Sequence, residues 1–242
     1  MSTKFYDMIF PELNRQELNS MKPSIPFLLG LRRRFFSKPK EKVFVIGFHK
    51  TGTSSMGKAL QLLGYRVCGS LKEGIDVDKV KLSDKSYLME NTHGVLENYD
   101  AFQDTPWFLM YEQLYHVFPN AKFILTIRDE EKWLNSVKKH FGNNAFLYHD
   151  YIYKTDNVVI DETNYIAIYN AHIKACKIFF DKMQKDLLII DLEHDTNKWQ
   201  LLCSYLGVKP PKTKFPYANK ANYSGKFSSK LKKKIKNLYY QK

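Results

Sequence analysis

Lys50, Thr51, Gly52, Thr53, Ser54 and Ser55 bring a cation, hydroxyl donors and freely bending backbone together in consecutive positions, the composition of a site that grips an anion. Main-chain N–H groups of a tight loop converge on one phosphate or sulfate, and the dipole of a helix that follows favours the same charge. Gly47 and Gly52 permit the bend and the approach of backbone to ligand, and the hydroxyls add donors. The glycine spacing is that of the nucleotide triphosphate loop G-x-x-x-x-G-K-[ST], but Thr53 stands where the lysine belongs and the loop's cation is Lys50. In triphosphate sites that lysine reaches the β- and γ-phosphates and the next hydroxyl holds Mg²⁺. A lysine inside the turn instead sits beside the bridging oxygen of a single 5′-terminal group.

Three further positions can do chemistry. Arg128 closes the apolar run Lys122-Phe123-Ile124-Leu125-Thr126-Ile127, and Ser136 follows two turns into a helix. A guanidinium fork and a hydroxyl at that separation can hold one oxyanion together, while Arg128 paired only with Asp129 or Glu131 is the structural alternative. Asp104 ends the short segment 99–104, and the carboxyl end of a strand is where open α/β sheets bind ligands. It reads either as a general base for an acceptor or as the cap of a helix spanning 106–118. His49, in the loop itself and able to titrate near neutrality, is the second candidate base.

The elements that must position these groups follow from periodicity. Val43 to Ile46 is a strand, and Met56, Ala59, Leu60 and Leu63 have helical spacing directly after the loop. Tyr65 to Cys68 is a short strand, and 71–98 reads as one or two helices around a loop. After the strand ending at Arg128, Trp133, Val137 and Phe141 mark a helix. Residues 142–160 are polar and tyrosine-rich without clean period, which suggests a lid or acceptor-binding segment, with packing of the aromatics on the core an equal alternative. Thr163 to Met183 is a long helix on which His172 reads as a surface or core residue. Leu187 to Ile190 is a final strand, and Trp199 to Leu206 a helix stopped by Gly207, Pro210 and Pro211. The alternation predicts a three-layer α/β/α domain with a mainly parallel sheet.

The stretch Phe48-His49-Lys50-Thr51-Gly52-Thr53-Ser54-Ser55 resembles the 5′-phosphosulfate loop of sulfotransferases that use 3′-phosphoadenosine 5′-phosphosulfate (PAPS), and strand-Arg128-Asp129 with Ser136 resembles their 3′-phosphate site. The order Leu188 to Lys220, with Trp199, Leu202-Cys203, Leu206-Gly207, Pro210, Phe215-Pro216 and Asn219-Lys220, is similar to the carboxyl half of sulfotransferase-like proteins with an uncharacterised acceptor. The resemblance covers about 43–220. It implies a P-loop-type fold, metal-independent sulfuryl transfer from PAPS, and nucleotide-binding roles for Lys50, Thr51, Gly52, Thr53, Ser54, Ser55, Arg128 and Ser136. Lys50 is then also catalytic. In cytosolic members a histidine base occupies the place of Asp104, so Asp-Thr-Pro here is a departure. Lys220 or Ser224-Gly225-Lys226 is the counterpart of the basic loop that closes the family's 3′-phosphate site. The acceptor the resemblance implies is a hydroxyl or amine of a glycan, a lipid or a small molecule, with tyrosine equally open. The rival readings are a Mg²⁺-dependent P-loop kinase, with Asp104 or Asp191 holding the metal, and a non-catalytic nucleotide-binding module.

Composition sets the frame. The 242 residues, 44% hydrophobic, are enough for one domain with a full core. The formal charge of +13 is not uniform: residues 1–42 carry nine basic and four acidic side chains, 209–242 carry eleven lysines and no acid, and 43–208 are net −3. The expected organisation is an N-terminal appendage (1–42), in which Pro11, Pro23 and Pro26 break regular structure, a domain (43–220) and a lysine-rich tail (221–242). The basic ends suit an anionic surface or serve solubility. Cys68, Cys176 and Cys203 are odd in number and widely spaced, which disfavours a disulfide scaffold, and no apolar run is long enough to cross a bilayer; the expectation is a cytoplasmic protein.

Overall fold

A computed structural model describes residues 25–36, 41–71, 83–142, 147–155, 159 and 161–218. The order of elements is α1 (Ile25–Phe36), β1 (Val43–Val45), α2 (Thr53–Leu62), β2 (Val67–Cys68), α3 (Lys85–Asn98), β3 (Ala101–Gln103), a 3₁₀ turn (Trp107–Leu109), α4 (Tyr111–Val117), β4 (Lys122–Ile127), α5 (Glu130–Phe141), α6 (Leu147–Tyr153), α7 (Glu162–Lys182), β5 (Leu187–Asp191) and α8 (Lys198–Tyr205). The strands form one sheet in the order β2-β3-β1-β4-β5, every neighbouring pair parallel. All the strands' carboxyl ends therefore lie along one edge, where β1, β3 and β4 deliver Lys50, Asp104 and Arg128.

Alternation along β1 divides the core. Val43 and Val45 face one side with Met56, Ala59 and Leu60 of α2 and Leu202 and Cys203 of α8. Phe44 faces the other with residues of α3, α4, α5 and α7. That is the three-layer arrangement expected of strands buried on both faces. Phe44 stacks on Phe102 of β3 at 5.0 Å and on Phe123 of β4 at 5.4 Å, an aromatic row across three neighbouring strands. Pairs of this kind add about 0.5–1.5 kcal/mol each beyond the area they bury.

Three local readings differ from expectation. Residues 25–36 are helical, because a proline at the second position of a helix costs no hydrogen bond and Pro26 sits there. This helix is tied to the sheet: Arg34 and Arg66 both pair with Asp100, and Arg33 Nη2 donates to the Lys209 carbonyl at 2.7 Å. Gly30 packs so closely on α2 that a Cβ there would lie 2.1 Å from the Gln61 carbonyl oxygen. The single helix expected over 106–118 is split into the 3₁₀ turn and α4, with Met110 between them. Within 142–160 lies a helix, α6, where no regular element is expected from the sequence, and its Tyr153 is fully buried and stacks on Tyr165 of α7 at 3.8 Å, the core-packing alternative. Lys220, Ser224-Gly225-Lys226, most of the N-terminal segment and the lysine-rich tail lie outside the described residues.

Candidate active site

The loop after β1 is built from its own side chains. Gly47 has no room for a methyl group: a Cβ would stand 2.1 Å from Thr126 Oγ1 and 2.3 Å from the Thr126 carbonyl oxygen. Its role is thus close packing of the loop onto β4. Thr51 is buried, and its hydroxyl bonds the Phe48 carbonyl and Thr126 Oγ1, each at 2.6 Å, so this side chain holds the turn together. Gly52, with φ 96°, adopts the left-handed conformation that glycine takes without cost and opens α2 as its N-cap. The Gly52 carbonyl accepts from Ser55 and Met56 N–H at 2.9 and 3.0 Å, which starts the helix and leaves the first-turn N–H groups of 53 and 54 without an intrahelical acceptor. Ser55 Oγ accepts from the Ala218 N–H at 2.9 Å, so the segment 215–218 runs over the start of α2.

Lys50 and Asp104 share an unusual backbone: φ is 66° at Lys50 and 74° at Asp104. Non-glycine residues in this region cost on the order of 1–3 kcal/mol and cluster at functional sites. Each sits just beyond the carboxyl end of a strand, and the two strands, β1 and β3, are neighbours. Burial pushes the Asp104 carboxyl above its ordinary range, while the Thr105 N–H at 2.8 Å, the Thr105 hydroxyl and the Lys50 charge pull the other way. Burial pushes the Lys50 ammonium below its ordinary range, with Asp104 opposing and Arg128 adding to the shift. Asp104 does not cap the helix after it; among the described residues its carboxylate bonds only the adjacent Thr105, and the 3₁₀ turn carries no side-chain cap.

His49 is enclosed. Its Nε2 is 3.0 Å from Tyr153 Oη, and its ring packs on Phe141 and stacks on His149 at 5.2 Å. Burial above all, with the repulsion that a protonated His49 would meet from Lys50 and from any charge on neighbouring His149 adding to it, holds the imidazole well below its ordinary pKa, so it is a neutral group within the wall of the site. His172 also belongs to the core, Nε2 donating to the Ile46 carbonyl at 2.7 Å at the end of β1.

Arg128 is fixed at both ends. Tyr169 Oη accepts from its N–H at 2.9 Å and donates to its carbonyl at 2.8 Å, and Tyr169 stacks flat on Trp133 at 4.3 Å. The guanidinium donates through Nη1 to the Lys50 carbonyl at 3.2 Å and pairs through Nη2 with Glu193. Trp133 Nε1 donates to the His49 carbonyl at 3.0 Å, a second tie from the α5 side to the loop. Asp129 caps α5, Oδ1 accepting from Lys132 N–H at 3.0 Å, as its position at the start of a helix implies.

These groups line one cleft of about 800 Å³, within the range of small-molecule sites. Lys50 to Ser55, Asp104, Arg128, Ser136 and His49 all border it, so the residues singled out from sequence come together. The cleft is also bordered by His149, from the segment read as a lid or acceptor-binding candidate, and by Lys139, His140, Glu193, Lys198 and Tyr217, which sequence reasoning did not mark. Lys139 and His140 had a signal: they stand three and four positions after Ser136, on the same face of α5. Glu193 had a weaker one, two residues past the end of β5.

A five-stranded parallel sheet covered by helices on both faces, with a glycine-bounded, lysine-bearing loop between its central strand and the next helix, defines a three-layer α/β domain whose cleft lies at the strands' carboxyl ends. Residues 42–223 match the family model described as a sulfotransferase domain, and the chain belongs to that family. Among curated proteins it is similar to Ava biosynthesis cluster protein M of Aspergillus versicolor, 31% identical over an alignment of 108 residues that covers 40% of this chain and 42% of that protein. The match thus spans about two fifths of the relative's length. Among solved structures it resembles a sulfotransferase from Alicyclobacillus acidocaldarius, with a TM-score of 0.45 and 15% identity over 83% of this chain and 91% of the other.

Proposed function

We propose that the protein transfers a sulfuryl group from PAPS to a hydroxyl or amine of a small-molecule, lipid or glycan acceptor. The observation that carries this reading is the row of Asp104, Lys50 and Arg128 beyond the carboxyl ends of three adjacent strands, β3, β1 and β4, all bordering one cleft. The donor contributes a sulfuryl group already activated on a phosphate. Main-chain N–H groups at the start of α2, with Thr53, Ser54 and Ser55, hold the 5′ end, and Arg128 with Ser136 holds the 3′-phosphate. The buried donor Arg128 Nε, which has no hydrogen-bond partner among the described residues, fits an anion that completes this fork.

Within the cleft, Asp104 takes the proton of the acceptor as the new O–S or N–S bond forms. Its raised proton affinity suits a base working near neutrality. Lys50 neutralises the charge that collects on the bridging oxygen as the old S–O bond breaks, a positioned cation acting in a partly desolvated site. The bridging oxygen and its electron pair leave with 3′,5′-adenosine bisphosphate. His49 is enclosed, with Nε2 engaged by Tyr153 Oη, and burial lowers its proton affinity, so its part is to shape the wall behind Lys50. No step calls for a metal.

The test is release of 3′,5′-adenosine bisphosphate from PAPS, followed chromatographically against a panel of hydroxyl and amine acceptors in chelator-treated buffer. Acceptor-dependent release, lost in Lys50→Ala, is the expected result. Release that continues unchanged in Lys50→Ala would remove the lysine from the chemistry.

A further inference from the structure

The guanidinium of Arg128 faces an anion that belongs to the chain. Glu193, in the turn after β5, places its carboxylate against Arg128 Nη2 and lies 3.4 Å from the Lys132 ammonium. The turn is held rigidly: Asp191 Oδ1 accepts from Glu193 N–H at 2.8 Å and from His194 N–H at 3.3 Å. Arg128 is also restrained, through its backbone to Tyr169 and through Nη1 to the Lys50 carbonyl. Its Nε remains a buried donor with no partner among the described residues. One carboxylate on one edge of the fork therefore leaves the guanidinium incompletely satisfied, where a three-oxygen anion could reach both edges.

We propose that Glu193 is an affinity-setting residue: an internal carboxylate that occupies Arg128 when the site is free and must be displaced before an external phosphate or sulfate engages it. The inference rests on the nucleotide reading above only for the identity of that external anion. The side chains of Arg128 and Glu193 are 22% and 26% exposed, so the pair is reachable from the cleft and its separation is not prohibitive. Once displaced, the carboxylate retains Lys132, which is 53% exposed, as a partner. Glu193 thus lowers the affinity of every anion that needs Arg128 by the same displacement factor, and leaves untouched ligands that do not reach it.

Two titrations on the full chain, wild type and Glu193→Gln, test this. In the first, sulfate is added and the Arg128 Nε–H resonance is followed in the ¹⁵N spectrum. Glu193→Gln should reach its midpoint at about three- to tenfold lower sulfate, the scale of a partly exposed ion pair. An unchanged or higher midpoint would overturn the proposal and make Glu193 a residue that merely orients Arg128. In the second, 3′,5′-adenosine bisphosphate and adenosine 5′-monophosphate are titrated calorimetrically. Glu193→Gln should tighten the bisphosphate by a similar factor and leave the monophosphate, which lacks the 3′ group, unchanged. Bisphosphate binding that fails in both proteins while the sulfate midpoint still shifts would sink the nucleotide reading and leave Glu193's role standing. Bisphosphate binding that is equal in both, with an unshifted sulfate midpoint, would do the reverse.

Discussion

Arg128 Nη1 donates to the main-chain carbonyl of Lys50 at 3.2 Å, so the cation at the end of β4 holds the backbone of the cation at the end of β1. The two ends of the cleft to which the proposed function assigns anion binding are mechanically joined. Arg128→Lys keeps the charge but loses the fork, and it should weaken 3′,5′-adenosine bisphosphate by about tenfold or more while also slowing transfer through the loosened loop. Lys50→Ala should instead lower the transfer rate by about 10²–10³ with a much smaller effect on bisphosphate affinity. Binding by calorimetry and turnover under saturating donor separate the two; equal loss of binding with unchanged turnover in both variants would contradict the assigned roles.

Asp104→Asn should retain bisphosphate affinity and lose transfer by about 10²–10⁴, the range of a general base. Because burial raises the carboxyl pKa, wild-type activity should increase with pH through a midpoint above the ordinary aspartate value, as the base gives up its proton. The pH profile of kcat/KM in the variant should lack that limb. A profile with the limb intact would assign it to another group.

Gly47 tests the loop's seat independently of chemistry. A Cβ 2.1 Å from Thr126 Oγ1 and 2.3 Å from a backbone oxygen cannot be relieved by rotating one side chain. Gly47→Ala should cost about 1–3 kcal/mol or more by overpacking and lower the melting temperature, while Thr126→Ser, which preserves the hydroxyl bond to Thr51, should be nearly neutral. A Gly47→Ala protein that melts with the wild type would mean that the loop and β4 stand further apart.

Three imidazoles in the core make the fold acid-labile. His49 is held well below its ordinary pKa by burial, and His149 and His172 are each lowered to about 4 for the same reason. All three are neutral when folded and take up a proton on unfolding once the pH falls below about 6.5, so their contribution is complete above that pH and is lost as the pH falls toward the folded values. Each adds a slope of about 1.4 kcal/mol per pH unit in that window. Chemical denaturation between about pH 7 and pH 5 should show a steep loss of stability, shallower in His149→Phe. A flat profile would mean that these rings are charged or solvated in the native state.

How much of this was legible depends on where the determining contacts lie. β1, β4 and α2 could be read because uninterrupted apolar runs and a glycine-bounded loop are local features, and the parallel sheet follows from their alternation with helices. Lys50, Asp104 and Arg128 could be marked because strand ends are recognisable in one dimension. α6 escaped because two of the three residues it buries among those described, His149 and Tyr153, carry polar groups and become core only through tertiary partners, which leaves Ile152 alone as an apolar signal; His149 Nδ1 lies 3.2 Å from Tyr165 Oη, and Tyr153 Oη meets His49. The enclosure of His49 was hidden for the same reason. Glu193 opposite Arg128 was illegible because the two are joined only by the pairing of β4 with β5, which brings Ile127 beside Asp191.

The most direct measurement is calorimetric titration of the full chain with 3′,5′-adenosine bisphosphate in Mg²⁺-free buffer, with Mg-ATP as the comparison. The displaced lysine and the Arg128 fork predict saturable binding of the bisphosphate without metal and little binding of Mg-ATP. Binding of Mg-ATP alone would contradict the account and assign the cleft to metal-dependent phosphoryl transfer.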